Sequence, residues 1–230
     1  MHHFRPHGVS GGIALGWHQE ESHLHVVFAL DRGGLVGADG PTRHGVFDLS
    51  YLRMIPGMVI MAPKDESELR DMLYTAVQHE GGPIVVRYPR GNGGGVTIKA
   101  GFEAIQIGKA EILRSGHDVA LLPIGAMVQE SLKAAEQLDK DGISAEVVNM
   151  RFVKPVDGKM LESIASRFKS IITVEDNVVT GGFGSAVAEY YAAQGVHNIR
   201  LKIHGIPDRF IEQGTPAELH ASFRLNSQAG

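Results

Sequence analysis

Short apolar runs alternate with amphipathic stretches along this chain from about residue 24 onward. In the first half the apolar runs lie at 26–30, 59–61 and 84–88, and each precedes turn-forming or charged residues. Runs of this length, partly β-branched, are typical of buried strands. Because a helical pattern separates the last two runs, the order strand–helix–strand predicts a parallel sheet with right-handed crossovers.

That helical pattern has a clear start and a clear apolar face. Asp65 is placed to cap its amino end, and Glu68, three residues later, completes a capping-box pattern. The predicted inward stripe consists of Leu69, Met72, Leu73, Ala76 and Val77. We interpret the stripe as core rather than as a binding surface.

The alternation resumes after a glycine-rich stretch that begins at residue 92. A hairpin over 105–113, turning at Ser115-Gly116, is predicted first. Predicted strands follow at 119–124, 145–149, 171–174 and 199–203. Predicted helices lie at 127–139, after Asp157, from 181 to about 193, and after Thr215. The second half therefore also predicts an α/β unit.

Residues 1–23 do not follow this alternation, because prolines and glycines interrupt every candidate period. The segment contains five of the twelve histidines. A metal site built from His2, His3 and His7 is disfavoured, since no carboxylate or cysteine is spaced to complete a tetrahedral set. The alternatives are a poorly packed leader and an artefact of a misplaced start codon or a shifted reading frame.

Composition narrows the functional classes. The chain has 230 residues, 43% hydrophobic and 21% charged, which is typical of one large or two ordinary globular domains. A formal net charge of −4 with well-mixed signs gives no indication of nucleic-acid or membrane-surface binding. The absence of cysteine excludes disulfides and thiol catalysis and fits a cytoplasmic location. No apolar stretch approaches the roughly 20 residues of a membrane span.

Candidate chemistry is concentrated in the segment that follows the first predicted strand. We call residues 31–45 the strand-end arm; after Asp31 its polar side chains are Arg32, Asp39, Thr42, Arg43 and His44. In an open α/β sheet, ligands bind beyond the carboxyl ends of the strands, and glycines in such a segment let a ligand approach the backbone. Arginine there suits a phosphate or a carboxylate. The alternative is a surface loop with solvated charges.

Several motifs resemble one family. They are Asp-Arg-Gly-Gly-Leu-Val-Gly-Ala-Asp-Gly-Pro-Thr (31–42), Gly-Val-Phe-Asp-Leu-Ser-Tyr-Leu-Arg (45–53), Ala-Pro-Lys-Asp-Glu (62–66), Arg-Tyr-Pro-Arg-Gly-Asn-Gly (87–93), Arg-Phe-Val-Lys-Pro (151–155), Val-Glu-Asp-Asn-Val-Val-Thr-Gly-Gly-Phe-Gly (174–184) and Gly-Ile-Pro-Asp-Arg-Phe-Ile-Glu (205–212). In this order they resemble the carboxyl-terminal portion of the 1-deoxy-D-xylulose-5-phosphate synthases, which are thiamine-diphosphate enzymes of the transketolase type.

The resemblance implies an α/β fold in two parts. A partial parallel sheet, the carboxyl half of a transketolase pyrimidine-binding domain, is expected over 24–93. A linker over 94–104 and a transketolase C-terminal α/β domain over 105–230 follow, and the atypical leader occupies 1–23. In the family, thiamine diphosphate and Mg²⁺ are held mainly by motifs upstream of the matched region, so we expect neither those motifs nor the activating glutamate in this chain.

The resemblance also implies site residues. Arg32 and Arg90 match arginines that bind the phosphate of glyceraldehyde 3-phosphate, and Asp39 matches an aspartate beside the reacting carbons. A family histidine is replaced by Arg43, and His44, one place further on, is the candidate catalytic residue together with Asp39. Since arginine is not a neutral proton acceptor near pH 7, this replacement is expected to weaken any proton transfer made there. No metal ligand is assigned.

The expected reaction is that of the family: pyruvate and glyceraldehyde 3-phosphate give CO2 and 1-deoxy-D-xylulose 5-phosphate. The latter is a precursor for isoprenoids, thiamine and pyridoxal. The chain is expected to be inactive alone and to act as a homodimer or with a separate amino-terminal chain. Three alternatives stay open: one subunit of a split transketolase-like enzyme, a non-catalytic dimerisation module, and a related transferase such as transketolase itself.

Overall fold

A computed structural model describes residues 25–37 and 40–226. The strands are β1 (Val27–Leu30), β2 (Val59–Met61), β3 (Ile84–Arg87), β4 (Glu111–Arg114), β5 (Val119–Pro123), β6 (Ala145–Asn149), β7 (Phe152–Lys154), β8 (Ser170–Val178) and β9 (Arg200–Ile206). The helices are α1 (Asp48–Arg53), α2 (Glu66–Gln78), α3 (Met127–Lys140), α4 (Gly158–Arg167), α5 (Phe183–Ala193) and α6 (Pro216–Ser222).

The described strands form two sheets, and most neighbouring strands are parallel. The first sheet has the order β1-β3-β2-β7, with β1 and β2 both parallel to β3. The second has the order β4-β6-β5-β8-β9, in which only β4 is antiparallel to its neighbour. Helices connect the parallel strands, as the crossover rule requires. The predicted α/β fold class is confirmed.

Strand β7 belongs to the first sheet although it comes after β6 of the second. It pairs antiparallel with β2, with Ile60 opposite Lys154 and Met61 opposite Phe152. The backbone N–H of Ala62 also donates to the carbonyl of Arg151 at 2.9 Å. The short run 152–154 has too few residues to announce a strand, so the sequence analysis missed it. This pairing joins the two parts of the chain through main-chain hydrogen bonds.

A shared core joins the two sheets as well. The largest cluster of buried apolar side chains combines α1 and β2 with β5, β6, α4 and α5, and includes Leu49, Ile60, Leu122, Val148, Leu161 and Phe183. Burying a side chain of this size contributes roughly 1.5–3 kcal/mol relative to exposing it. A second cluster, around Leu35, Val46 and Ile206, lies under the strand-end arm. The arm is therefore anchored by core side chains.

Helix α2 begins as predicted but uses its capping glutamate differently. The Asp65 carboxylate accepts from the N–H of Glu68 at 2.8 Å. The Glu68 carboxylate does not return to the Asp65 N–H; it accepts from the N–H of Lys64 at 2.7 Å and faces the second part of the chain. Val77, predicted to face inward, is 65% exposed because the buried face of α2 includes Thr75 and Ala76 and turns away from it.

The predicted hairpin over 105–113 is wrong. Strand β4 pairs with β6, with Ile112 opposite Val148, and not with β5, the strand that follows the turn at Ser115-Gly116. Residues 88–110 contain neither helix nor strand, although they include the apolar Ile105 and Ile107 that suggested one. Both side chains pack instead against the core of the first sheet. Ile105 and Ile107 are apolar because they pack against the core from a connecting segment, and their spacing is the same as that of alternate residues in a strand.

Helix starts in the second half follow the predicted chemistry. The Asp157 carboxylate accepts from the N–H of Met160 at 3.1 Å and begins α4. At α6, Thr215 and Glu218 form a reciprocal capping box. The proposed leader 1–23 lies outside the described residues, and the boundaries 24–93, 94–104 and 105–230 stay predictions. In the part of the chain that the structure describes, no helix is long and apolar enough to cross a membrane.

Candidate functional site

The carboxyl ends of β1 and β3 bring the two candidate arginines to one sheet edge. The strands are parallel neighbours, with Leu30 opposite Arg87. Arg32 lies two residues beyond the end of β1, and Arg90 lies three residues beyond the end of β3. The N–H of Gly33 donates to the carbonyl of Tyr88 at 2.9 Å, so the two segments stay paired past the strands.

Arg32 lines a cavity of about 310 Å³ with Thr42, Arg43, His44 and other residues of the arm and of α1. Its backbone has a φ of 58°, in the left-handed region that few side-chain-bearing residues adopt. Its side chain is 41% exposed and lies 4.0 Å from the exposed carboxylate of Asp31. A solvent-accessible guanidinium at a sheet edge is well placed to receive an anion.

A half-buried tyrosine also lines this cavity. Tyr51, on α1, lines the cavity beside Asp48. Burial and the Asp48 carboxylate raise the pKa of Tyr51, and the nearby Arg87 offsets only part of that rise. The phenol is therefore a neutral hydrogen-bond donor at physiological pH.

Arg90 lines a neighbouring cavity of about 380 Å³, whose wall includes Lys64, Tyr88, Gln129 and the glycine loop 91–94. The loop is held by the exposed Glu66 carboxylate, which accepts from the N–H groups of Gly94, Gly95 and Val96. Hydrogen bonds from its own backbone and from these three residues lower the pKa of Glu66. The carboxylate is therefore ionised near neutral pH and fixes the loop that follows Arg90.

The predicted convergence of three side chains stays a prediction. Arg32 and Arg90 leave adjacent strands but line different cavities. Asp39, the third member, lies outside the described residues. The described geometry places the two arginines at the same edge of the first sheet.

Arg43 and His44 differ in exposure, although both line the Arg32 cavity. Arg43 is exposed and lines the Arg32 cavity. His44 is buried; its Nδ1 accepts from the N–H of Val36 at 3.1 Å. Its Nε2, which then carries the proton, lies 3.4 Å from the carbonyl oxygen of Glu212. Both ring nitrogens thus hold the arm, and a catalytic role of His44 stays a prediction.

Arg87 is a buried residue that the sequence analysis did not single out. Its Nε lies 3.2 Å from the Asp48 carboxylate, and its Nη2 donates at 2.8 Å to the carbonyls of Gly45 and of Asp176. The guanidinium therefore joins the strand-end arm to α1 and to β8. The sequence held one signal for a role of Arg87: it is a charged residue at the end of an apolar run, and Arg90 follows three residues later.

Asp176, at the carboxyl end of the parallel part of β8, is the second missed residue. Its carboxylate accepts from the N–H of Leu35 and faces His220 Nε2 at 3.0 Å. Gly34 permits this contact, because a Cβ at that position would lie 2.0 Å from Asp176 Oδ2. The acidic and amide run 175–177 at a strand end was a signal for a site, but its partners are distant in sequence.

The described residues do not by themselves fit the metal–diphosphate group that the family resemblance implies. Across residues 25–37 and 40–226, no group of three or more histidine, aspartate and glutamate side chains could hold a metal ion. The two cavities offer arginine, a neutral phenol and glycine-rich backbone beside carboxylates, which are Asp31 and Asp48 in one cavity and Asp65 and Glu66 in the other. That donor set suits the phosphate and hydroxyls of a sugar phosphate.

Two family models match the chain. The pyrimidine-binding domain of transketolase matches residues 18–95, and the C-terminal domain of transketolase matches residues 108–229. The chain belongs to the transketolase family. The two matches confirm the expected fold class, a pyrimidine-binding part followed by a C-terminal α/β part, and β7 is the described strand of the second region that joins the first sheet.

Curated relatives narrow the resemblance. The chain is 55% identical over 205 residues to 1-deoxy-D-xylulose-5-phosphate synthase 1 of Geobacter sulfurreducens, covering 89% of this chain and 32% of the relative. It is 54% identical over 202 residues to the synthase of Desulforudis audaxviator, covering 88% of this chain and 32% of the relative. It is 55% identical over 192 residues to the synthase of Aquifex aeolicus, covering 84% of this chain and 30% of the relative. The chain spans about a third of the length of these relatives.

Solved structures show the same fold. A split-gene transketolase, described as an inactive β4 tetramer, superposes with a TM-score of 0.73 at 27% identity, covering 90% of this chain and 64% of that one. Transketolase of Campylobacter jejuni superposes with a TM-score of 0.62 at 19% identity, covering 88% and 30%. The second likeness supports the fold alone.

Proposed function

We propose that this chain supplies the acceptor-substrate side of a 1-deoxy-D-xylulose-5-phosphate synthase site. Arg32 and Arg90 bind the phosphate of glyceraldehyde 3-phosphate. The observation that carries this proposal is their position just beyond the ends of two paired parallel strands. Half or more of the sequence in the matched region is identical in the relatives quoted above, whose names state this activity.

The net reaction joins the two-carbon unit of pyruvate to the aldehyde carbon of glyceraldehyde 3-phosphate and releases CO2. In the proposal, Asp39 hydrogen-bonds the substrate hydroxyls near the new carbon–carbon bond. Arg43 stands where the family has a histidine, so proton transfer at that place is weakened. The chain's own contribution is to bind and orient the phosphorylated aldehyde.

Thiamine diphosphate and Mg²⁺ are part of the proposal as groups held elsewhere. We propose that their main binding residues and the glutamate that activates the cofactor come from a region that this chain does not carry. The chain alone would then lack turnover. A complex with a separate amino-terminal chain completes the site, in the cytoplasm as the cysteine-free composition suggests. A homodimer of this chain would still need that region.

The test is a reconstitution. The purified chain is mixed with thiamine diphosphate, Mg²⁺, pyruvate and glyceraldehyde 3-phosphate, with and without a second chain that carries the amino-terminal two thirds of a relative. Product is expected only with the second chain. Turnover by the chain alone, near that of a full-length relative, would overturn the proposal that cofactor activation comes from elsewhere.

Arginine variants test the phosphate site in the same mixture. Arg32→Ala and Arg90→Ala are each expected to raise KM for glyceraldehyde 3-phosphate by about 10–100-fold, the value of losing a charged hydrogen-bond donor, with little change in KM for pyruvate. Arg114→Ala, on edge strand β4 of the second sheet, is the matched control. Equal KM values for the three variants would contradict the assignment.

The likeness to the split-gene transketolase favours a second candidate, in which this chain is one subunit of a divided enzyme. Cofactor-dependent co-purification with a chain that bears the diphosphate-binding motif would support it. A non-catalytic dimerisation module is the third candidate. It predicts that Arg32→Ala and Arg90→Ala change no activity in any reconstituted mixture. A different acceptor sugar phosphate as the preferred substrate would favour transketolase itself.

A further inference from the structure

A buried carboxylate on β8 accepts a hydrogen bond from the backbone of the strand-end arm. Asp176 of β8 is 5% exposed, and its Oδ1 and Oδ2 lie 3.3 and 3.2 Å from the backbone nitrogen of Leu35. The same Oδ2 lies 3.0 Å from Nε2 of His220 on α6. A helix near the end of the chain is thereby connected through one side chain to the segment that carries Arg32.

The arm has two limbs, one around Gly34 and Leu35 and the other around Gly45, and backbone hydrogen bonds join them. Gly34 and Gly45 exchange two backbone hydrogen bonds, of 2.7 and 3.0 Å. Arg87 Nη2 donates both to the Gly45 carbonyl and to the Asp176 carbonyl. Both limbs of the arm are therefore fixed to the short region of β8 around Asp176. The Asp176 carboxylate holds the Leu35 limb directly, and the Gly45 limb is connected to that limb through the two Gly34–Gly45 hydrogen bonds.

We propose that Asp176 and His220 are positioning residues, and that the protonated His220 holds the strand-end arm in the conformation that presents Arg32 and Arg43 to an anionic substrate. The role in substrate binding rests on the proposed function. The role in ordering the arm does not, because it concerns the N–H of Leu35 alone.

The charges around His220 favour the protonated imidazole. Burial lowers the pKa of His220, but the hydrogen bond and charge of Asp176 and the charge of Glu130 on α3 outweigh it, so the pKa is raised. Lys133 lies 2.7 Å from Glu130 and partly neutralises it, and Glu218 on the same helix is engaged by its own capping box. Asp176 is thus the main partner of the imidazolium.

The sign of the pH effect follows from this direction. A histidine whose pKa is raised in the folded protein contributes fully below the ordinary value of 6.5 and loses its contribution as the pH rises through the raised value. The arm should therefore be held more tightly at pH 6 than at pH 8.5. A pair that only anchors α6 would change the order of that helix with pH and leave the arm unchanged.

Amide hydrogen exchange separates these possibilities. Protection factors are measured by NMR at pH 6 and 8.5 for Leu35 in the arm, for Leu219 in α6 and for Leu122 in the central strand β5. We expect the protection of Leu35 in the wild-type chain to fall about tenfold over this range, the value of losing one charge-assisted hydrogen bond, with Leu122 unchanged.

Variants at position 220 sharpen the test. His220→Gln should lower the protection of Leu35 about tenfold at pH 6 and little at pH 8.5. His220→Arg keeps the cation, has room because the side chain is 24% exposed, and should keep protection high at both pH values. His204→Gln, whose ring contacts the carbonyl of Arg224, is the control and should behave as the wild type. Asp176→Asn should bring the pKa of His220 down.

Two results would overturn the proposal. One is a Leu35 protection at pH 6 that agrees within twofold between the wild type, His220→Gln and His220→Arg. The other is a loss of Leu219 protection in His220→Gln without any change at Leu35. In the reconstituted enzyme, His220→Gln should also raise KM for glyceraldehyde 3-phosphate at pH 6 more than it lowers kcat. If exchange behaves as expected but no variant turns over substrate, the proposed function fails and the positioning role stands.

Discussion

The Glu68 carboxylate lies 2.7 Å from Nε of Arg151 and joins the two parts of the chain. Glu68 lies in the first turn of α2 in the first part, and Arg151 precedes β7 in the second. The carboxylate is 2% exposed and also accepts from the side-chain amide of Asn149 and from Lys64 Nζ. A charge buried this deeply needs all of its partners, because an unpaired charge is costly in the interior.

Removing the arginine should therefore destabilise the whole molecule. We expect Arg151→Ala to lower the free energy of unfolding by about 3 kcal/mol, the value for breaking a buried ion pair on one side. Urea unfolding measures it. Lys133→Ala removes one partner of an exposed ion pair on α3 and is expected to cost less than about 1 kcal/mol. If Arg151→Ala and Lys133→Ala lower the free energy of unfolding by similar amounts, the contact between Glu68 and Arg151 does not stabilise the packing of the two parts.

Glu175 should make stability depend on pH. Burial raises its pKa from 4.5 to about 8, although hydrogen bonds from the N–H groups of Gly184 and Phe183 work in the opposite direction. For a raised pKa, the folded chain binds the proton more tightly, so the Glu175 contribution to stability is fully present below pH 4.5 and is lost as the pH rises towards 8. The Glu175 contribution lost over this range is on the order of a few kcal/mol.

Glu175→Gln is the test of that dependence. The amide keeps the size and an acceptor for the α5 amino end but does not ionise. We expect the variant to unfold at a higher urea concentration than the wild type at pH 9, and to lose this advantage at pH 5. The quantity to compare is the difference in unfolding midpoint between the variant and the wild type. If this difference is the same at pH 5 and at pH 9, Glu175 does not cause the pH dependence.

Gly34 should be intolerant of any side chain. Its φ of 85° disfavours one, and an added Cβ would meet Asp176 at 2.0 Å. Gly34→Ala is expected to cost about 3 kcal/mol, the left-handed penalty plus a steric clash. Gly142 has a φ of 75° with nothing within 4 Å of an added Cβ, so Gly142→Ala is expected to cost only about 1–2 kcal/mol. Thermal unfolding of both variants measures the difference.

Arg43 offers a prediction about rate. Within the proposed function, it occupies the place of a family histidine, exposed beside Arg32. Arg43→His should raise kcat in the reconstituted enzyme by about 10²-fold, the low end for restoring general acid–base catalysis. Thr42→His, at the adjacent exposed position, is the control and should not raise kcat. An equal effect of both substitutions would show that the position has no special role.

The sequence by itself determined much of the local structure. Apolar runs placed β1, β2 and β3 within a residue, because buried strands leave a continuous hydrophobic signature. Asp157 and Thr215 located two helix starts, because a cap is decided by chemistry within three or four residues. Family motifs brought attention to Arg32 and Arg90, which then proved to leave adjacent strands.

Only the tertiary structure decided which distant residues meet. The pairing of β7 with β2, the turn of Glu68 towards Arg151, and the contact of Asp176 with both Leu35 and His220 join positions 44 to 141 residues apart. No local pattern encodes such contacts, since each depends on how the sheets and their crossovers place strand ends in space. The same reason made 105–113 look like a hairpin: its apolar side chains were needed for packing between elements, and periodicity alone does not distinguish that use from a strand.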